Sequence, residues 1–115
     1  MAYRDRVKFT TLTAGTGAVT VNTASSGFRL PAAAGIVNGD DVRYAIEDGT
    51  AWETGYAIAS ATATVFSRQL EASSTGALLS LTGNAVMYFT PTASLFNTIS
   101  TRGLMLQTAV ANYSM

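Results

Sequence analysis

DGTAWETGYAIASATATVFSR, residues 48–68, decides the fold. It follows VRYAIE (42–47), where Val42, Tyr44 and Ile46 alternate with Arg43, Ala45 and Glu47. Such a two-residue period marks a half-buried strand. Asp48-Gly49 is a tight-hairpin signal, because glycine adopts the positive φ that a two-residue loop demands. The chain then returns over AWETGYAIA (51–59), with Trp52, Thr54, Tyr56 and Ile58 on one side. Taking the bulky side as the inner one, the pattern predicts Trp52 as a buried anchor and Glu53 as an outward carboxylate. TATVFSRQL (62–70), rich in Thr, Val and Phe, reads as the next strand. Arg68 then lies on a neighbour of Glu53's strand, where the two pair across.

The same punctuation extends both ways. YRDRVKFTTLT (3–13) alternates, with Tyr3, Asp5, Val7 and Phe9 on one face and Arg4, Arg6 and Lys8 on the other. AGTG (14–17) reads as a turn, AVTVN (18–22) as a strand and TASSG (23–27) as a turn leading into Phe28 and Leu30. PAAAGIVNGD (31–40) has the Pro, Gly and Asn-Gly content of a loop, with room for one helical turn. ASSTG (72–76) and TGN (82–84) are turns around ALLSL (77–81), and AVMYFT (85–90) is a strand apolar on both faces that Pro91 ends. Seven or eight short strands, with turns every 8–12 residues or so, predict an all-β fold. The expected architecture is a small antiparallel sandwich or barrel over residues 1–92. Residues 93–115 are apolar and read either as a final element covering the protein's own core or as a C-terminal arm packing on a neighbouring subunit, for which Leu95, Phe96, Leu104, Leu106 and Val110 are the candidate contacts.

With 115 residues the chain is one domain. Nearly half of it is Ala, Thr, Ser and Gly, which fill a core poorly, so burial in an assembly is favoured. Seven basic residues cancel seven acidic ones, and charged residues make up 12%. That balance predicts no nucleic-acid partner, and a neutral, charge-poor surface tends to associate. The local exception is Arg4, Arg6 and Lys8. They read either as a solvated strand face or as an arm for an acidic partner surface, without interleaved aromatics for bases. The sequence lacks an apolar run long enough for a membrane helix, and its start lacks a signal-peptide pattern. No membrane partner is expected, and synthesis in the cytoplasm is.

Chemistry is sparse. The chain has no histidine and no cysteine, which excludes Ser-His-Asp and Cys-His nucleophiles and thiolate zinc sites. Asp40, Asp41, Asp48, Glu53 and Glu71 are the carboxylates a glycosidase could draw on. Asp40, Asp41 and Asp48 sit in turn sequences, where Asp satisfies local backbone N–H groups. Oxygen ligands do not recur at calcium-loop spacing, and TAGTGAV (13–19) lacks the third glycine and helix of a phosphate loop. No enzyme activity, cofactor or metal is expected. A Trp beside a Tyr also suits a carbohydrate platform, so Trp52 and Tyr56 keep that alternative open.

Residues 48–93 resemble a β module of tailed-bacteriophage structural proteins. The pattern is Asp-Gly, Trp-Glu-x-Gly, Thr and Arg on the next strand, Ser-Ser-x-Gly, an apolar strand, a Gly turn and a last apolar strand ending near Pro. Its counterparts are Asp48, Gly49, Trp52, Glu53, Gly55, Thr64, Arg68, Ser73, Ser74, Gly76, Gly83 and Pro91. With the preceding segments, the resemblance spans about residues 5–93, and residues 94–115 lie beyond it. It implies a non-enzymatic virion component. A short β body with apolar and basic ends suits a capsid decoration (cement) protein, a trimer that bridges major capsid protein subunits on the particle surface. A tail, baseplate or fibre adaptor is the alternative.

Overall fold

The structure is a computed structural model and describes residues 2–93. Among these, nine strands form: β1 (Lys8–Thr11), β2 (Ala14–Gly15), β3 (Val19–Thr20), β4 (Asp41–Asp48), β5 (Ala51–Ser60), β6 (Val65–Phe66), β7 (Gln69–Ser73), β8 (Leu81–Thr82) and β9 (Ala85–Phe89). The fold is all-β, and every strand pairing is antiparallel.

The β4–β5 hairpin is the spine. Asp48 pairs with Ala51 across the two-residue loop Gly49-Thr50, and Gly49 takes φ +65°. That angle at the first loop position is strained for any residue with a Cβ. The expected hairpin is therefore present. Its register pairs every even-numbered residue of β4 with an odd-numbered residue of β5, as in Val42 with Ala57, Tyr44 with Gly55 and Ile46 with Glu53. Val42, Tyr44 and Ile46 are buried, so Glu53, Gly55 and Ala57 are buried with them. The predicted facing of β5 is thus reversed. Trp52, Tyr56 and Ile58 look outward at about 40% exposure, while Glu53 is fully enclosed. Small residues fill the inner side of β5 because β4 supplies the bulk there, and paired side chains share one face of the sheet.

β9 flanks β4, and β1 flanks β9. The other side of β5 pairs with β7 over Glu53–Tyr56 and with β6 over Ala59 and Ser60, and β6 carries β3. The residues after β3 cross to the outer edge of β1. Asn22 N–H donates to Thr10, Thr10 N–H to Thr23 and Ser25 N–H to Lys8. The sheet curls, and this segment bridges its two edges, so neither side of β1 is left as an unpaired ladder. Inside, the rings of Phe9, Phe66 and Phe89 meet at 5.2–6.0 Å. They pack with Val7, Val19, Leu79, Leu81 and Met87, each contributing burial of roughly 1.5–3 kcal/mol.

Three local expectations change. Residues 3–6 are not strand; Arg6 takes φ +63°, and Tyr3 and Asp5 are exposed. AGTG contributes β2, which pairs with β8. The predicted strand 62–70 splits. Ala61, Thr62 and Ala63 take φ of 51–60° in a turn, and β6 and β7 are separated by Ser67 and Arg68. The strand read from 85–90 is β9, whose Ala85 and Met87 are buried and whose Val86 and Tyr88 are half-buried. Leu95, Phe96, Leu104, Leu106 and Val110 lie outside the described residues.

Candidate functional site

Three of the residues that carry the resemblance, Glu53, Gly55 and Arg68, belong to a buried clasp. Glu53 projects inward from β5. Its Oε1 accepts from Arg68 Nη2 at 2.6 Å and from the Leu79 N–H at 2.8 Å. Its Oε2 accepts from Arg68 Nε at 3.0 Å and from the Tyr44 hydroxyl at 2.7 Å. Four donors meet a carboxylate that has about four acceptor sites. Arg68 donates its remaining N–H groups to the carbonyls of Gly15, Gly17 and Leu79. All five guanidinium protons are used, and the pair is sealed, with side-chain exposures of 1% and 0%. The expected Glu53–Arg68 pairing therefore exists, but across the interior.

Each partner depends on local sequence. Tyr44 reaches Glu53 because Gly55, its register partner, has no side chain. A Cβ there would fall 2.0 Å from the Gln69 carbonyl oxygen and 2.9 Å from the Tyr44 hydroxyl. The β5–β7 register also shifts between Thr54 and Gly55, leaving a bulge. Burial opposes ionisation of Glu53, but Arg68, Tyr44 and the Leu79 N–H together outweigh it and hold the carboxyl below the usual range. Burial, reinforced by Glu53, pushes the Tyr44 hydroxyl well above the usual tyrosine range. A neutral phenol, an ionised carboxylate and a saturated guanidinium, closed to solvent, form a structural tie that joins β2, β4, β5 and the approach to β8.

Of the three aspartates expected to serve turns, Asp40 bonds a local backbone N–H, whereas Asp41 opens β4 and Asp48 bonds a residue 34 positions away. Asp40 Oδ2 accepts the Val37 N–H at 3.0 Å. Asp48 accepts both the N–H and the hydroxyl of Thr82 at 2.8 Å, pinning the hairpin tip to β8. Glu71 forms an ion pair with Arg43 and accepts from the Thr92 hydroxyl. Among the described residues no group of three acidic side chains could hold a metal ion.

Two surfaces stand exposed among the described residues. The first is the outer face of the β4–β5 hairpin. Trp52, Tyr56 and Ile58 line it, and a shallow depression of about 370 Å³ lies between Trp52, Glu47 and Tyr88, floored by Ala45 and Thr54. Tyr88 donates its hydroxyl to Glu47 at 3.2 Å, and burial followed by that carboxylate raises its pKa. The second surface is basic. Arg4, Arg6 and Lys8 do not share a strand face, since only Lys8 belongs to β1. Instead Arg4 and Arg6 meet Arg29 and Arg43 around a groove of about 600 Å³. The expected lack of aromatics here is also corrected. The Arg6 guanidinium lies 4.0 Å from the centre of the Phe28 ring, and Lys8 Nζ is 5.2 Å from Phe28 and 5.8 Å from Tyr88.

The sequence reading missed Arg29 and Arg43. Arg43 was legible as the polar side of β4, but Arg29 reaches the groove through a parallel bridge between residue 29 and Val7, a non-local contact without a local signal. Compared with protein-family models, with curated proteins and with solved structures, the chain has no match in any of the three. Among the described residues no helix is long and apolar enough to cross a membrane.

Proposed function

We propose that this chain is a non-enzymatic structural protein of a tailed-bacteriophage particle, a decoration protein that stabilises the head by bridging subunits of the major capsid protein. The reading rests on the resemblance of residues 48–93 to the phage β module. The observation that carries it beyond resemblance is the outward row of Trp52, Tyr56 and Ile58. An aromatic and aliphatic row on an exposed sheet face is costly to leave in water and gains by being covered. Aromatic side chains are also the residues that dominate binding energy at protein interfaces. In a chain of zero net charge, such a face favours association with neighbouring copies and with the shell. The interior clasp supports the same reading, because the signature residues Glu53, Gly55 and Arg68 serve the fold and leave function to the surfaces. A trimer at a threefold position of the shell fits the role, with avidity from several weak contacts.

Co-sedimentation of the purified protein with expanded capsids and with isolated tails tests the proposal. Capsid binding at a fixed copy number, with threefold density in a map of the decorated particle, is the expected result. Labelling of tails alone transfers the protein to the tail, baseplate or fibre reading. Binding to neither refutes a virion role.

One observation favours a second reading. The depression beside Trp52 combines an exposed indole face with the Glu47 carboxylate, the pairing of apolar platform and acceptor that suits a sugar ring. Trp52 is the chain's single tryptophan, so quenching of its fluorescence by oligosaccharides reports this directly. Saturable quenching, with binding lost in Trp52→Ala, would establish a carbohydrate-binding module; flat titrations would remove it.

A further inference from the structure

Of the chain's seven cationic residues, Arg68 is sealed in the clasp and Arg102 lies outside the described residues. The remaining five, Arg4, Arg6, Lys8, Arg29 and Arg43, line two adjoining clefts that share Arg6 and Phe89. Arg6 donates both Nε and Nη2 to the Gly27 carbonyl, at 3.2 and 2.9 Å. Arg29 does the same to the Asp5 carbonyl, at 3.1 and 2.6 Å. Each guanidinium is gripped along one edge by a neutral acceptor. Its orientation is set, its charge is not cancelled, and its Nη1 has no hydrogen-bond partner among the described residues. Arg4 uses Nη1 on the adjacent Tyr3 carbonyl, and Arg43 is already paired with Glu71. Among the described residues, Asp5 is the one carboxylate lining the groove.

The backbone is held in an unfavourable shape to achieve this. Arg6 sits at φ +63°, a region that costs an L residue and persists where surrounding contacts over-determine it. Here those contacts are the Gly27 carbonyl and the Phe28 ring. Oriented guanidinium edges with their charge uncancelled match carboxylates, which accept two parallel N–H bonds from arginine.

We infer that the groove is the docking site for an acidic, extended segment of a neighbouring protein, whose Asp or Glu carboxylates take the free edges of Arg6 and Arg29 with Arg4 at the rim. A nucleic acid fits less well. Phe28 is occupied by Arg6 and Lys8 and is not open for a base to stack on, and Glu47 in the adjoining cleft opposes a continuing phosphate backbone. The inference rests on the docking role proposed above for the source of the segment, whereas the groove's preference for carboxylates stands apart from it.

The test is a titration of isotope-labelled protein with hexaglutamate, hexaglutamine and a thymidine hexanucleotide, followed by NMR of the backbone and arginine Nε–H signals. Hexaglutamate should give saturable shifts at Arg4, Arg6 and Arg29, weakened about tenfold between low and physiological salt. Arg4→Gln should weaken binding at least about fivefold while leaving the remaining spectrum in place, because its hydrogen bond is to a sequence neighbour. Equal response to hexaglutamine, tighter binding of the hexanucleotide, no saturable shift, or unchanged affinity in Arg4→Gln would each overturn the inference. Capsid co-sedimentation separates the two proposals. Hexaglutamate binding without capsid binding removes the capsid role alone. Capsid binding by a protein that ignores hexaglutamate removes the acidic-segment site alone.

Discussion

Glu53→Gln removes one charge and changes almost no volume, so it isolates the electrostatics of the clasp. The side chain is fully enclosed, and its two oxygens accept four hydrogen bonds. An amide supplies one oxygen and one NH₂. With the oxygen in the Oε1 place, the NH₂ faces Arg68 Nε. With the oxygen in the Oε2 place, it faces Arg68 Nη2 and the Leu79 N–H. A donor therefore meets a donor in either orientation, and the Arg68 cation, 1% exposed, loses its counter-charge. Breaking a buried pair from one side costs about 3–5 kcal/mol. Against a total stability of about 5–15 kcal/mol, that is a third or more for an average domain. For a chain of this length it lowers Tm by roughly 10–20 °C. Thermal unfolding followed by circular dichroism reads this directly, with a native-like spectrum at low temperature confirming the fold. Combining Glu53→Gln with Arg68→Gln should cost about 2–3 kcal/mol less than the sum of the singles, since the stranded charge is gone. A Glu53→Gln protein that melts within about 3 °C of the parent would refute the clasp as a main source of stability.

Acid should act through the same residue. The Glu53 carboxyl is held below its ordinary value of 4.5, so its contribution is complete above that pH and is lost as pH falls through the lower folded value. Urea midpoints measured from neutral pH down to about pH 3 should therefore fall more steeply in the parent than in Glu53→Gln. At the other extreme, Tyr44 titrates above its ordinary value of 10.0, so stability holds below that pH and declines as pH rises past it. Tyr44→Phe should flatten this alkaline decline while costing about 1.5–3 kcal/mol at neutral pH, read from urea unfolding. Gly55→Ala places a methyl group 2.0 Å from the Gln69 carbonyl oxygen and should abolish folding or cost more than about 4 kcal/mol, scored by folded yield and circular dichroism. Trp52→Ala removes a half-exposed side chain from the outer face, so its Tm should stay within a few degrees while capsid co-sedimentation is lost.

Much of the fold is written in short-range pattern. The alternation of 42–47, the Gly49 turn and the strand over 51–59 are legible because two-residue periodicity and loop φ are local properties. The facing of β5 was also legible, though bulk is a misleading guide to it. A two-residue hairpin pairs even with odd positions, so a buried Val42–Tyr44–Ile46 row forces Glu53, Gly55 and Ala57 inward. Hydrophobic size suggested the opposite, because an enclosed glutamate reads as an error until its arginine is in view. Its pairing with Arg68 was expected from the strand order; its burial was not.

What the sequence determined by itself is the all-β class, the Asp48-Gly49 hairpin between β4 and β5, and the absence of histidine and cysteine chemistry. These follow from properties each residue carries with its near neighbours. Tertiary structure decided which carbonyls receive Arg68, from Gly15 and Gly17 more than fifty residues away. It also decided that Arg29 joins Arg4 and Arg6 around one groove. Those outcomes depend on how the sheet closes, and closure is set by the summed packing of distant strands rather than by any local stretch.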